Sequence, residues 1–292
     1  MNDLVSKLVA TLDLEKLEEN LFRGTSPDVG WQRIFGGQVI AQALVAAQRT
    51  VSPDRPVHSL HGYFMRPGDP RVPVIYEATR LRDGGSFSTR LVTAIQHGQA
   101  IFTLSASFQV SEEGLDHQIS MPDVPGPDDL PSGESLGADI LRHAPEPIRR
   151  YWMRPRAVEF RPVSTDHYFT REKLAPEQRI WVRVTADVGE DAALNAAVMA
   201  YLSDMTLLDT SLFAHGLSVF DERIQAASLD HAMWFHRPLR VSDWHLYAQD
   251  SPSSSGGRGL TRGSLFALDG TLVASVAQEG LIRPRSPRPD RA

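Results

Sequence analysis

The sequence predicts an α+β fold of two repeats, each an antiparallel sheet wrapped around one long helix. Three observations predict it: two segments with the apolar spacing of a buried helix, several strand-like segments after each of them, and short words that recur in the same order in both halves. Such an apolar helix can be buried only if the sheet that follows wraps around it. We therefore expect two related units within the 292 residues.

The first repeat is expected to span residues 1–112. Helical spacing of apolar residues over 4–20 predicts helical structure, which Asp13 divides into two short helices. Residues 38–49 carry one apolar stripe and are predicted to form the long helix of this repeat. Strand patterns separated by turns rich in glycine, proline and aspartate fill residues 58–109, which predicts the sheet.

The second repeat is expected to span residues 151–284, after a linker at 113–150 that is rich in proline, glycine and aspartate. One short helix is predicted inside the linker, near residues 139–143. The tail at 285–292 is rich in proline and arginine and is predicted to be disordered. Within the second repeat the predicted order is strand, strand, helix and further strands, at about 151–160, 178–187, 192–208 and 228–282.

The recurring words are separated by nearly constant distances, which indicates an internal duplication. The first matches are 171 residues apart, and one inserted residue makes the later ones 172. The matching pairs are YFMRP at 63–67 with WFHRP at 234–238, Tyr76 with Tyr247, GGSFSTR at 84–90 with GGRGLTR at 256–262, and His97-Gly98 with Asp269-Gly270.

Composition excludes several classes of function. The formal charge is −6, from 30 basic and 36 acidic residues, which argues against a nucleic-acid partner. The chain has no cysteine, so disulfides, thiolate nucleophiles and cysteine-bound zinc are excluded, and the histidine pairs lack a ready third metal ligand. No apolar run is long enough to span a bilayer, and no signal peptide is expected. We expect a cytoplasmic protein without a metal.

Several longer words resemble those of the acyl-CoA thioesterase II family of the TesB type, which has the double hot-dog fold. The resemblance implies hydrolysis of acyl-CoA to free acid and CoA without a cofactor, and a homodimer or larger homo-oligomer. It implies catalysis by Asp204, Ser228 and Gln278, with serine where threonine is the residue most readily associated with the family. The words are FGGQ at 35–38 with Gln42-Ala43, HSLHGYF at 58–64, AYLSD at 200–204, DHAMWFHRP at 230–238, GGRG at 256–259 and VAQEG at 276–280.

The residues themselves leave alternatives at each of these positions. Asp204 falls in the apolar arc of the predicted 192–208 helix, where a buried carboxylate would orient or deprotonate water, unless the helix ends early and leaves it at a wet edge. Gln278 is predicted to lie in the last strand. Its side chain either binds an oxyanion or a water molecule, or faces solvent from an edge strand. Ser228 alone reads as a turn or cap serine. A triad with Asp230 and His231 is rejected, because residues i and i+3 of one strand project to opposite faces.

Two further sequence signals each allow a functional and a structural interpretation. Arg258 and Arg262 are candidates for binding the phosphates of CoA, or are ordinary surface arginines. A G-x-S-x-G pattern at Ser135 lies in linker sequence without a preceding strand, so it is predicted to be inert.

Two other functions fit the predicted fold. An enoyl-CoA hydratase would need an Asp–His pair, with His215, His231 or His236 within about 3–4 Å of Asp204. A non-catalytic acyl-CoA-binding protein would bind the ligand tightly without releasing CoA.

Overall fold

The structure is a computed structural model that describes residues 2–27, 32–131, 149 and 154–285. The predicted linker helix at 139–143, the G-x-S-x-G pattern at Ser135 and the tail beyond Arg285 lie outside the described residues. The elements of the first half are α1 (Asp3–Leu12), β1 (Glu15–Glu18), β2 (Leu21–Gly24), α2 (Gly36–Gln48), β3 (Val57–Phe64), β4 (Val74–Asp83), β5 (Phe87–Gln96) and β6 (Gln99–Gln109).

The second half follows the same succession of strand, long helix and strands. A single 3₁₀ turn at Pro127–Asp129 precedes it among the described residues. Its elements are β7 (Val158–Pro162), α3 (Asp166–Phe169), β8 (Glu177–Val184), α4 (Ala192–Ser203), α5 (Thr210–Phe213), β9 (Ile224–Ser228), β10 (Asp230–Phe235), β11 (His245–Ser255), β12 (Arg258–Ala267) and β13 (Leu272–Pro284).

One antiparallel sheet runs through both halves. Its strand order is β1-β2-β4-β5-β6-β3-β10-β13-β12-β11-β8-β7, so each half repeats the same order outward from the central β3–β10 pair. β9 pairs with β13 beside β10. The predicted α+β double hot-dog fold is confirmed: the two equivalent halves of the antiparallel sheet enclose the long helices α2 and α4.

The two long helices are buried because their sequences are apolar on nearly every side. Every residue of α2 from Gly37 to Ala47 is buried. In α4 the side chain of Asp191 caps the first turn by accepting from the backbone N–H of Ala193, and the buried positions then follow on all faces. Both helices belong to one continuous apolar core, enclosed by the inner face of the sheet.

The segment after β6 packs on the outer face of the second half, away from the helices. Trp181 donates its indole N–H to the carbonyl of Pro125 at 2.9 Å. Met121, Val124 and Leu130 pack there against an apolar cluster of Trp181, Trp244, Leu246, Phe266 and Leu272. This stretch of the predicted linker is therefore docked onto the sheet.

Two predicted helices differ from the structure. The prediction of a second N-terminal helix is wrong, because Glu15–Glu18 form an edge strand. The chain then turns at Asn20, which has a left-handed φ of 62°, and this strand pairs with β2. The helix predicted to reach residue 208 ends at Ser203, because Thr206 takes a left-handed conformation at φ 66°. In the part of the chain that the structure describes, no helix combines the length and apolarity needed to cross a bilayer.

The predicted repeat alignment is wrong by one residue in one strand. Ala106 pairs with Arg90, whereas its equivalent Gln278 pairs with Thr261. The buried equivalent of Arg90 is therefore Thr261, 171 residues later, and not Arg262, which faces outward.

Candidate active site

The structure brings Asp204, Ser228 and Gln278 together. Asp204 is the C-terminal cap of α4, Ser228 is the last residue of β9, and Gln278 lies in β13. The Gln278 Nε2 donates to Asp204 Oδ1 at 2.6 Å, and the Ser228 hydroxyl also hydrogen-bonds the Asp204 carboxylate. Ser228 is held beside β13 by its pairing with Gly280, two residues beyond Gln278.

The first half also contributes to the surroundings of Asp204. The N-terminus of α2 lies against its carboxylate, which accepts a hydrogen bond from the Gly37 backbone N–H. A Cβ atom at Gly36 would lie 2.6 Å from Asp204 Oδ2, and one at Gly37 would overlap the Tyr201 carbonyl oxygen. Two adjacent glycines therefore permit this approach, which sets the positive end of the α2 dipole against the carboxylate.

Burial decides the ionisation of Asp204. Its side chain is only 5% exposed. Burial raises the pKa of Asp204 to about 6, although the hydrogen bonds from Gln278, Gly37 and Ser228 each oppose the rise. Near neutral pH most Asp204 is ionised, and it can still accept a proton at little cost. These are the properties of a general base.

The Gln278 carboxamide is almost fully buried, at 1% exposure. Its Nε2 atom donates a hydrogen bond to Asp204, while its Oε1 atom has no hydrogen-bond partner among the described residues. A buried amide oxygen without a partner is costly in a purely structural role. This Oε1 atom belongs to the same carboxamide whose nitrogen donates to Asp204. The Asp204 carboxylate and the Gln278 oxygen are therefore two hydrogen-bond acceptors side by side.

Comparison with known proteins identifies the family. Residues 152–281 match the family described as Acyl-CoA thioesterase, and residues 23–109 match the Acyl-CoA thioesterase N-terminal domain. Acyl-CoA thioesterase 2 of Haemophilus influenzae is 40% identical over 283 residues, which are 97% of this chain and 99% of the relative. Acyl-coenzyme A thioesterase 8 of Homo sapiens is 44% identical, with 96% of this chain and 90% of the relative covered.

A solved structure agrees with these relatives. The crystal structure of an acyl-CoA thioesterase II, TesB2, from Mycobacterium marinum is 44% identical, with a TM-score of 0.78, and the match covers 94% of this chain and 98% of that one. The chain belongs to the TesB-type acyl-CoA thioesterase II family. The predicted family is therefore confirmed over nearly the whole length of the chain.

The structure also decides between the alternatives for two residues of this thioesterase. The α4 helix does end before Asp204, but the carboxylate is buried against α2 and not at a wet edge. Gln278 lies in a strand that has β12 on one side and β10 on the other, so it is not on an edge strand. Ser228 is the last residue of β9, and Leu229 separates it from β10, so Ser228 and His231 belong to different strands.

A hydratase would need a histidine within about 3–4 Å of Asp204, and His231 lies at the upper end of this range. His231 Nδ1 lies 3.9 Å from Asp204 Oδ1, within the range set for an Asp–His pair but too long for a hydrogen bond. The Gln278 amide nitrogen contacts both groups, at 2.6 Å from Asp204 and 3.3 Å from His231 Nδ1. Burial lowers the pKa of His231 to about 3, so the ring is neutral and unsuited to act as an acid. The geometry and the family both disfavour the hydratase.

Arg258 and Arg262 are not part of this group. They lie on the exposed face of β12, whereas Thr261 between them faces inward and donates to the Gln278 carbonyl oxygen at 3.1 Å. Arg258 pairs with Glu279 at 2.8 Å and Arg262 with Asp250 at 2.6 Å. Binding of CoA by these arginines stays a prediction.

Two contributions were not predicted from the sequence. Gly36 and Gly37 occur in a word that resembles the family, but nothing in one sequence shows that the start of α2 meets the end of α4. The sequence offered His231 as a member of a rejected triad and as a hydratase partner of Asp204, but not its buried contact with Gln278, which depends on the register of β10 and β13. Among the described residues, no group of three histidine or acidic side chains is placed to hold a metal ion.

Proposed function

We propose that this thioesterase hydrolyses fatty acyl-CoA to a free fatty acid and CoA, with a water molecule activated by Asp204, Ser228 and Gln278. One observation carries the proposal: the Gln278 carboxamide donates to a buried carboxylate of raised pKa at 2.6 Å and keeps its own buried oxygen unpaired. A water molecule has two protons to donate, and these two acceptors match them.

In the proposed reaction, ionised Asp204 accepts one proton of the water while Gln278 Oε1 accepts a hydrogen bond from the other. The water oxygen forms a bond to the thioester carbon, the carbon–sulfur bond breaks, and the proton on Asp204 passes to the departing thiolate. Ser228 holds the carboxylate through its hydroxyl group and is not the nucleophile. The N-terminus of α2 favours the negative charge that develops beside it. A thiolate leaves readily, so we propose no metal or cofactor.

The proposal extends to the assembly and the compartment. We propose a homodimer or larger homo-oligomer in the cytoplasm, without a nucleic-acid partner. The exposed aromatic residues Tyr63 and Trp234, 55% and 44% exposed on the two central strands, support a contact between copies. The absence of cysteine is compatible with the cytoplasm. Light scattering of the purified protein measures the oligomeric state directly.

A thiol-release assay over a series of acyl-CoA chain lengths tests the activity. We expect CoA release from the wild type, and a loss of about 10²-fold or more in turnover for Asp204→Asn and of the order of 10²-fold for Gln278→Ala. Arg262 lies outside the Asp204 group, so Arg262→Ala tests the predicted CoA contact separately. If Arg262 binds CoA, this variant should raise KM. Tight acyl-CoA binding without CoA release would instead support the non-catalytic alternative.

A further inference from the structure

His231 is a fully buried imidazole for which the proposed reaction has no role. It lies on β10 with its side chain 0% exposed. Its Nδ1 lies 3.3 Å from Gln278 Nε2, and its Nε2 lies 2.8 Å from the Ser203 hydroxyl oxygen. Both ring nitrogens therefore have a partner, one in β13 and one in α4.

The partners fix the proton on the ring. Gln278 Nε2 can only donate, so His231 Nδ1 accepts and the single proton of the neutral ring is on Nε2. Nε2–H then donates to the Ser203 hydroxyl, and that hydroxyl donates to the Ala200 carbonyl at 2.9 Å. Each hydrogen in this chain has an acceptor, from the carboxamide of Gln278 back to the backbone of α4.

This arrangement determines which atom of Gln278 faces Asp204. A carboxamide rotated by 180° would direct Oε1 at the Asp204 carboxylate and at the lone pair on His231 Nδ1. While Asp204 is ionised, it favours the observed orientation by itself. Once Asp204 has accepted a proton, however, it can donate to an amide oxygen, and its preference for the Gln278 nitrogen is lost. His231 Nδ1 remains an acceptor in both states.

We propose that His231 is a positioning residue that holds the Gln278 carboxamide with its nitrogen toward Asp204 and its oxygen toward the reacting water. The inference rests on the proposed function, because it matters only if Gln278 binds that water. His231 matters most in the step in which Asp204 carries the proton. In that step no other described contact keeps the Gln278 carboxamide from rotating.

The first repeat supports a specific pairing of the two residues. Its equivalent of His231 is Leu60 and its equivalent of Gln278 is Ala106, and these two pair across β3 and β6. The imidazole is therefore absent where the carboxamide is absent. Since both Leu60 and Ala106 are buried, the fold accepts an apolar side chain at this position.

Three variants separate positioning from packing. His231→Leu removes both ring contacts and uses the residue found in the first repeat. His231→Asn retains an acceptor, its Oδ1, near the position of Nδ1. Met233→Leu is the control, because Met233 is buried on the same face of the same strand and the exchange conserves volume.

We expect His231→Leu to lower kcat by about 10- to 10²-fold with KM changed less than about threefold, as expected for a misplaced group near the reacting atoms. His231→Asn should recover most of kcat, and Met233→Leu should match the wild type. In a double-mutant cycle, His231→Leu should cost little further activity once Gln278→Ala is present, because it acts through that side chain.

The outcomes distinguish this inference from the proposed function. If Gln278→Ala lowers kcat but folded His231→Leu keeps wild-type kcat, the positioning role is wrong and the water-binding group stands. Additive losses in the double variant also refute it, because His231 would then act independently of Gln278. If Gln278→Ala itself keeps full activity, the proposed function fails first. Should His231→Leu not fold, His231→Met, which also removes both ring contacts, takes its place in the cycle with Gln278→Ala.

Discussion

Gly36 allows the sharpest test of how Asp204 is held. A Cβ atom at this position would lie 2.6 Å from Asp204 Oδ2 and 3.0 Å from the Phe64 ring, whereas ordinary contact begins at 3.4 Å. In Gly36→Ala the carboxylate must therefore move by about 0.8 Å. Its hydrogen bonds from Gln278, Gly37 and Ser228 oppose that movement.

We expect Gly36→Ala to lower kcat by about 10- to 10²-fold, because a displacement of about 1 Å near the reacting atoms costs up to about 10²-fold. Alanine is the better helix former, so the thermal midpoint should not fall steeply. The assay is thiol release with a saturating acyl-CoA, beside a thermal melt. Gly85→Ala is the control, since a Cβ there meets nothing within 4 Å. Full activity in a folded Gly36→Ala protein would show that the carboxylate is not held as described.

Three further predictions concern the same group. Because Asp204 must be ionised and its pKa is about 6, kcat/KM should fall as the pH drops through 6, and the measured profile should lack this limb if another group is the base. Because its pKa is raised, protonation of Asp204 stabilises the folded protein, and this stabilisation is lost as the pH rises through 6. Asp204→Asn should therefore become more stable relative to the wild type over this range. An equal difference in thermal midpoint between variant and wild type at pH 5 and at pH 8 would contradict this. Ser228→Thr should stay active and Ser228→Ala should be impaired but not silent, and mass spectrometry of the intact protein should find no acyl group on Ser228.

Much of the fold could be predicted because its signals are local and repeated. The spacing of apolar residues in α2 predicted its position closely, and the recurring words predicted the duplicated sheet. The end of α4 could not be predicted, because the chain remains apolar through Met205 and Leu207. The helix stops at Ser203, and three residues later Thr206 takes a left-handed conformation and accepts a hydrogen bond from Gln249 at 2.9 Å, a contact made across the fold.

The sequence predicted which residues to compare, and the structure brings Asp204, Ser228 and Gln278 together, but how they are held was not predicted. Asp204 and Gln278 followed from the family words, and their burial and contact agree with a shared role. The part supplied by Gly37 was not predictable, because it depends on the antiparallel contact of two helices more than 150 residues apart. The one-residue error in the repeat alignment has a similar origin, since only strand pairing shows that Arg90 is the equivalent of Thr261.

The pairing of β3 with β10 has a consequence for the integrity of the molecule. Each half covers the open edge of the other, with strands of eight and six residues. A chain divided in the linker would expose both edges, and bare strand edges recruit other chains and promote aggregation. Because the β3–β10 pair joins the two halves into one sheet, we expect them to unfold in a single transition. A substitution that unfolds the half without Gln278 should therefore also abolish activity in the other half.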